Sequence, residues 1–251
     1  MEREIEEKPV STGEASTTAN RRLSRILFIA VMIIVPVILA LTSVRLVMTP
    51  ALIHFEYNQP GFPPDPYGFT KEDRIYWSQI ALDYLLNSED ISYLGDLRFS
   101  DGTPVYNARE LRHMLDVKNT VSGVLYVWYI SIAAMVILGA WAWHSARWRD
   151  FKKGLARGGF LTMVLIGAIL LFVLLSFGVL FVAFHNVFFQ PGTWTFNFSD
   201  TLIRLFPERF WRDVFMIVGG LSFAGGLLLT LVFRNRDPIK PEDNEGLSPN
   251  I

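Results

Sequence analysis

The chain has 251 residues, of which 51% are hydrophobic, and its formal net charge is −1 at pH 7. The near-neutral charge gives no support for nucleic-acid binding, and the absence of cysteine excludes disulfides, thiolate nucleophiles and cysteine metal ligands. Four segments approach or exceed the roughly 20 apolar residues that a bilayer crossing needs. They are residues 26–47, 121–143, 160–182 and 214–233. The composition therefore predicts an all-α integral membrane protein with four transmembrane helices.

The segments at the two ends of the chain look like tails. Residues 1–20 are rich in Glu, Ser and Thr without periodicity, and residues 237–251 are similar, so both are predicted to be disordered. The first apolar segment lacks a small-residue cleavage site and is interpreted as an uncleaved span. The membrane domain is then residues 21–236.

Basic residues cluster on one predicted side of the membrane. The three clusters are Arg21, Arg22 and Arg25 before the first span; Arg147, Arg149, Lys152, Lys153 and Arg157 after the second; and Arg234, Arg236 and Lys240 after the fourth. Because cytoplasmic loops carry an excess of Lys and Arg, both termini and the middle loop are predicted to be cytoplasmic. The two remaining connections, residues 48–120 and 183–213, then face outward.

The first outer loop carries helical signals. The prolines of "QPGFPPDPYGF" forbid helix and regular strand there. Thr70 with Asp73 has the spacing of a capping box, and a roughly helical apolar stripe follows. Asn107 with Glu110 has the same spacing and predicts a second helix that runs into the second span. These helices are expected to form an extracytoplasmic cap.

The second outer loop opens with "FHNVFFQPGTWTF", from Phe184 to Phe196. Pro191 and Gly192 predict a turn among the aromatic rings. The dense rings favour a re-entrant or interface-hugging loop, although an ordinary interfacial aromatic belt is the alternative. The following "DTLIRLFPERFWRDVF" reads as one amphipathic surface helix before the fourth span.

Two of the four histidines are candidates for chemistry. His54 and His144 lie at span edges and are interpreted as interfacial. His113 has Glu110 and Asp116 three residues before and after it, so on a helix two carboxylates could orient its ring. The alternative is an ordinary amphipathic helix, in which Glu110 only caps and Asp116 is solvated. His185 stands where the third span leaves the bilayer, where an ionisable group is a functional candidate.

His113 and His185 are both predicted on the outer face, each close to a membrane boundary. Two imidazoles beside apolar and aromatic walls suggest a general-base or nucleophile arrangement for acyl chemistry on a half-lipidic substrate. The chain has no GxSxG, HExxH or P-loop motif.

The stretches "ELRHMLDVK" and "FHNVFFQPGTWTF…LFPERFWRD", within the four-span layout, resemble the lipoprotein intramolecular transacylase (Lit) family of bacterial membrane proteins. The resemblance covers roughly residues 20–235. It implies that the sn-2 acyl chain of a diacylglyceryl-cysteine lipoprotein moves to the cysteine α-amine and yields the lyso-form. It also implies that the protein lies in the bacterial cytoplasmic membrane and that its partners are lipoproteins and membrane lipid. It implies no metal or cofactor.

The resemblance places the family's paired catalytic histidines at His113 and His185. The supporting residues expected around them are Glu110, Asp116 and Asn186. An aromatic wedge is expected to hold the acyl chains and glycerol beside His185, and its members are Phe188, Phe189, Trp194 and Phe196. Two other functions stay open from the residues alone. One is a metal-dependent membrane hydrolase with ligands from His113, His185, Glu110 and Asp116; the other is a non-enzymatic structural membrane protein.

Overall fold

The computed structural model describes the backbone of residues 12–234 and the side chains from Thr18 onward. Its helices are α1 (Thr12–Val47), α2 (Pro50–Tyr57), α3 (Lys71–Leu86), α4 (Ser92–Gly95), α5 (Ala108–His144), α6 (Trp148–Phe188), α7 (Thr201–Leu205) and α8 (Glu208–Phe233). Residues 12–234 contain no strand, apart from one isolated bridge between Arg98 and Pro104. Helices α1, α5, α6 and α8 are long and apolar enough to cross a membrane. The predicted four-span, all-α membrane fold is confirmed.

The two central helices are longer than the predicted spans. Helix α5 has 37 residues, or about 55 Å at 1.5 Å per residue, against a hydrocarbon core of about 30 Å. Helix α6 has 41 residues and is kinked at Ser176, whose backbone is not helical (φ −159°, ψ 66°). No proline occurs in residues 108–188, so neither helix is ended by a proline at the edge of its apolar stretch. Residues 183–188 therefore belong to α6, and not to an irregular loop as predicted.

The predicted N-terminal tail also differs from the structure. Helix α1 begins at Thr12, so residues 12–20 are helical. Residues 14–25 contain neither proline nor glycine, and the helix of the first span continues through them. Residues 1–11 and the predicted C-terminal tail of residues 237–251 lie outside the described residues.

Helix α6 is the centre of the membrane bundle and contacts α1 on one face and α8 on another. Glycines allow this close approach. A Cβ atom on Gly158 would lie 2.6 Å from Cβ of Val35 in α1, and one on Gly159 would lie 2.5 Å from the Gly226 carbonyl oxygen in α8. Small residues at helix interfaces are typical of membrane bundles, because association there depends on close van der Waals packing.

The segments predicted as outer loops, residues 48–120 and 183–213, pack together at the end of the bundle where α1 terminates. We call this part the cap. Its buried core comprises Ala81, Tyr84, Leu94, Val105, Tyr106, Met114, Leu202 and Leu205. An ion pair of 2.9 Å between Arg204 and Asp65 joins α7 to the proline-rich loop, and the Asp65 side chain is only 1% exposed. The cap therefore has its own core, built from distant parts of the chain.

The predicted surface helix of residues 200–215 is two helices in the structure. Helix α7 ends at Leu205, and α8 starts at Glu208 with Pro207 as its N-cap. A proline has no N–H to continue α7, and it disfavours the helical conformation of the preceding Phe206. The break lets the short α7 pack into the cap core while α8 turns into the bundle.

Candidate active site

The first turn of α5 is fixed by Glu110, which is 1% exposed. The Asn107 side chain accepts hydrogen bonds from the N–H groups of Arg109 and Glu110, and the Asn107 N–H donates to Glu110 Oε2 at 2.8 Å. This is the predicted capping box. The second carboxylate oxygen, Oε1, accepts from the Leu202 N–H at 2.7 Å. Glu110 thus joins the start of α5 to α7.

His113 lies one helical turn after Glu110 and is 8% exposed. Its ring packs edge-on against Phe189 and Phe196, with centroid distances of 4.9 and 5.3 Å. The Nδ1 atom is buried and has no hydrogen-bond partner among the described residues. Buried ring nitrogens are normally paired, so an unpaired one in an apolar setting suits contact with a ligand.

His185 lies in the last turn of α6 and is half-buried. Its Nδ1 atom is 2.8 Å from the carbonyl oxygen of Phe181, one turn earlier. A carbonyl oxygen can only accept a hydrogen bond, so Nδ1 carries the proton and, in the neutral ring, Nε2 carries the lone pair. The helix backbone therefore fixes both the tautomer and the orientation of this imidazole.

The structure brings the two candidate histidines together. The ring centroids of His113 and His185 are 6.1 Å apart, and the ring planes differ by 23°. The bundle and the cap jointly set this distance, because one histidine is near the start of α5 and the other near the end of α6. A reacting group placed beside both rings could exchange protons with either of them.

Aromatic rings surround the pair. Phe189 contacts both imidazoles, at 4.9 Å from His113 and 5.5 Å from His185. The ring centroid of Trp194 lies 4.8 Å from that of His185. Trp194 follows a turn in which the Thr193 N–H donates to the Gln190 carbonyl. Gly192 in this turn has φ +83°, which favours glycine, so the predicted Pro-Gly turn is present. The rings form an apolar wall around two nitrogen heterocycles.

The three predicted supporting residues do not hold His113. Both carboxylate oxygens of Glu110 accept backbone N–H groups, so its role is to position the helix. Asp116 is half-buried, and among the described residues it has no hydrogen bond or ring contact to His113. Asn186 is exposed. The spacing argument did not include the backbone N–H groups that bind the Glu110 carboxylate.

Phe188 also differs from the other members of the predicted wedge. It is 46% exposed and packs on Phe184 at 4.8 Å, without a ring contact to either histidine in the part of the chain that the structure describes. Phe189, Trp194 and Phe196 do contact the pair. The sequence analysis missed Phe181, whose carbonyl and ring both contact His185; its position four residues before His185 was the available signal.

The described residues do not support the alternative of a metal site. Within residues 18–234 no group of three or more His, Asp and Glu side chains converges as a metal site. The other two histidines lie apart from the pair. His54 contacts the Gln79 amide at the surface of the cap, and His144 is exposed at the far end of α5.

The fold and the site together define a helical membrane protein of four spans, with paired imidazoles held where two spanning helices meet a cap. The sequence model of the family described as lipoprotein intramolecular transacylase Lit matches residues 27–211. The chain belongs to this family and is an acyltransferase of the membrane that acts on lipoproteins.

Two relatives show how far the similarity extends. An uncharacterized protein of Aquifex aeolicus is 31% identical over 212 residues, which cover 82% of this chain and 93% of that protein. The in meso structure of the lipoprotein intramolecular transacylase Lit from Bacillus cereus has a TM-score of 0.66 at 24% identity, over 85% of this chain and 95% of that one. A variant of the same protein with a histidine-to-arginine substitution has a TM-score of 0.69, over 89% and 96%. The structures share this fold over nearly their whole length.

Proposed function

We propose that this protein moves the sn-2 acyl chain of a diacylglyceryl-cysteine lipoprotein to the α-amine of the same cysteine. The observation that carries the proposal is the pair of imidazoles 6.1 Å apart, one of them with its proton held on Nδ1 by a backbone carbonyl. Family membership supplies the reaction class, and the paired rings supply groups that can move the protons the reaction requires.

The chemistry needs a base and an acid. An α-amine has a reference pKa of about 7.7–8.0, so it is mostly protonated at neutral pH and must lose a proton before it attacks. In the proposed step the amine nitrogen bonds to the sn-2 carbonyl carbon, the bond from that carbon to the glyceryl oxygen breaks, and the glyceryl oxygen takes up a proton. The product is an isomer of the substrate, with an N-acyl amide and a free glyceryl hydroxyl.

The two histidines share the proton transfers. Nε2 of His185 carries a lone pair when the ring is neutral, which suits it to remove the amine proton. His113 lies beside it and supports return of a proton to the glyceryl oxygen. Amine and ester belong to one molecule, so holding them in position contributes a large part of the acceleration. The rings of Phe189, Trp194 and Phe196 contact the histidines, and we place the glycerol and the start of the acyl chains there.

We place the cap and the site on the outer side of the bacterial cytoplasmic membrane, with both termini inside. The three basic clusters support this orientation. The connection between α5 and α6 is only residues 145–147, at the opposite end of α5 from His113. In this orientation the lipidated cysteine of a lipoprotein in the outer leaflet has direct access to the cap.

Single alanine variants test the proposal. His113→Ala and His185→Ala should each lower conversion of a synthetic diacylglyceryl-cysteinyl peptide about 10²–10⁴-fold, as expected for general acid–base groups. His54→Ala and His144→Ala are the matched controls and should convert it like the wild type. Because the product has the mass of the substrate, the readouts are the acylated-amine fragment in tandem mass spectrometry and the loss of the free amine. Near-wild-type turnover by both site variants at equal expression would refute the histidine mechanism.

A further inference from the structure

Trp194 places an unused hydrogen-bond donor in the site. Its Nε1 atom is buried and has no acceptor among the described residues, although its ring centroid is only 4.8 Å from that of His185. A buried donor without an acceptor destabilises the fold, and most buried polar groups are paired. An N–H left free beside a catalytic candidate therefore suggests an acceptor that arrives with the substrate.

The surroundings make this donor distinctive. Among the described residues, the other side-chain rings around the histidine pair belong to Phe181, Phe184, Phe189 and Phe196, and none of them carries a donor. The turn that precedes Trp194 is closed by the Thr193 N–H and hydroxyl, which both bond the Gln190 carbonyl. The indole is thus carried by a hydrogen-bonded turn in an apolar wall.

We propose that the Trp194 indole N–H donates a hydrogen bond to the sn-2 ester carbonyl oxygen as that oxygen becomes an oxyanion. The inference rests on the proposed function and deepens it. When a nucleophile bonds to the carbonyl carbon, the π electron pair moves to the oxygen, and the negative charge forms beside Trp194. When the bond to the glyceryl oxygen breaks, the carbonyl re-forms and the leaving oxygen takes a proton.

The inference is independent of the route of transfer. Direct attack by the amine and prior attack by an imidazole both pass through a tetrahedral species with a charged carbonyl oxygen. A fixed donor in an apolar site stabilises such a charge more than water does, because the donor needs no reorganisation. Trp194 would then be a catalytic residue, beyond the lipid contact expected from its aromatic character.

The decisive change removes the N–H and keeps the ring. Trp194→Phe should lower kcat on the diacylglyceryl-cysteinyl peptide about 10²–10³-fold, the range for loss of one oxyanion donor. The mole fraction of substrate that gives the half-maximal rate should stay unchanged, since the interaction is made in the transition state. A second variant carries benzothienylalanine at position 194, in which sulfur replaces the N–H and the shape is kept. It should lose kcat to a similar extent.

Trp211→Phe is the matched control. Trp211 lies in α8 and packs on Phe206 and Phe210, and in the described part of the chain it has no ring contact with either histidine, so this variant should turn over like the wild type. Wild-type kcat in either Trp194 variant would overturn the inference. A benzothienylalanine variant that misfolds would also overturn it, because one changed atom would then have a structural partner.

The His113→Ala and His185→Ala variants in the same assay separate the two proposals. If these lose activity while both Trp194 variants keep it, the donor role alone is wrong. If the wild type does not convert the peptide, both proposals fall together. If the histidine variants stay active while the Trp194 variants lose kcat, the histidine mechanism is wrong and the donor role stands.

Discussion

At the scale of single residues, Glu56 is a carboxylic acid buried in the protein. It is 1% exposed near the end of α2, and its Oε2 atom has no partner among the described residues. The pKa of Glu56 is raised from 4.5 to about 6, mainly by burial and also by the Asp213 carboxylate, while the Arg209 guanidinium opposes the change. The folded protein therefore keeps Glu56 protonated up to a higher pH than the unfolded chain does.

This pKa predicts a loss of stability as the pH rises. A folded-state pKa above the unfolded value means that the stabilising contribution is complete below pH 4.5 and is lost through pH 6. Glu56→Gln keeps a neutral group at every pH, so above pH 6 it should be more stable than the wild type, by at most about 2 kcal/mol. Thermal unfolding in detergent from pH 4 to 7 measures the difference.

The control for Glu56→Gln is Glu208→Gln, at an exposed carboxylate in the first turn of α8. It should leave the pH dependence of the unfolding temperature as in the wild type. Parallel curves for the wild type and Glu56→Gln would show that Glu56 does not ionise in this range.

The histidine pair shows how far local sequence rules reach. The basic clusters and span boundaries placed His113 and His185 on one side at one depth, which made their contact predictable. The role of Glu110 could not be predicted, because its position fitted both a helix cap and a partner for His113. The outcome depends on the Leu202 N–H, whose position is set by a fold contact across 92 residues of sequence.

At the scale of elements, the approach of α6 to α8 requires glycine at two facing positions. A Cβ atom on Gly159 would lie 2.5 Å from the Gly226 carbonyl oxygen and 2.8 Å from the Thr230 hydroxyl. Gly159→Ala should therefore push the helices apart and destabilise the protein by roughly 1–3 kcal/mol, as overpacking does. The unfolding temperature in detergent should fall.

Gly123→Ala is the matched control for this helix contact. No atom lies within 4 Å of a Cβ atom at Gly123, a helical position in α5. Alanine there should be neutral or stabilising, by up to about 1 kcal/mol, because it is the better helix former. Equal unfolding temperatures for Gly159→Ala and the wild type would contradict the close packing of α6 and α8.

Helix existence could be predicted from the sequence much better than helix ends. The apolar stretches and the two capping boxes at Thr70 and Asn107 located the starts of α3 and α5. Hydropathy marks where a chain is apolar, whereas a helix ends where a breaker or a cap ends it. Helix α6 therefore continues to Phe188, beyond its apolar stretch, and Pro207 separates α7 from α8 where amphipathic spacing suggested one helix.

At the scale of the whole molecule, the proposed orientation can be tested with single cysteines, since the chain has none. Ser100 is exposed in the cap, and Ala146 is exposed in the short connection between α5 and α6. In intact cells a membrane-impermeant maleimide should label Ser100→Cys and not Ala146→Cys. After the cells are broken, both should react.

The opposite labelling pattern would place the histidine pair in the cytoplasm, without access to the outer-leaflet substrate of the proposed function. Equal labelling of both sites in intact cells would indicate leaky membranes, and a cytosolic protein with a single exposed cysteine controls for that. The experiment tests the orientation separately from the acyl-transfer chemistry.

The apolar part of α5 has little contact with the rest of the protein, and this affects how substrate concentration should be expressed. No residue in the most apolar stretch of α5 is buried inside the protein, and few are in that of α6, so these two helices offer apolar surface to the membrane. The diacylglyceryl substrate of the proposed function would reach the site by lateral diffusion in two dimensions. The concentration that sets the reaction rate is then the mole fraction of substrate in the membrane, and not its molarity in the bulk solution. Adding inert phospholipid at constant bulk lipopeptide should slow the reaction by surface dilution; an unchanged initial rate would show that the peptide reaches the site from water.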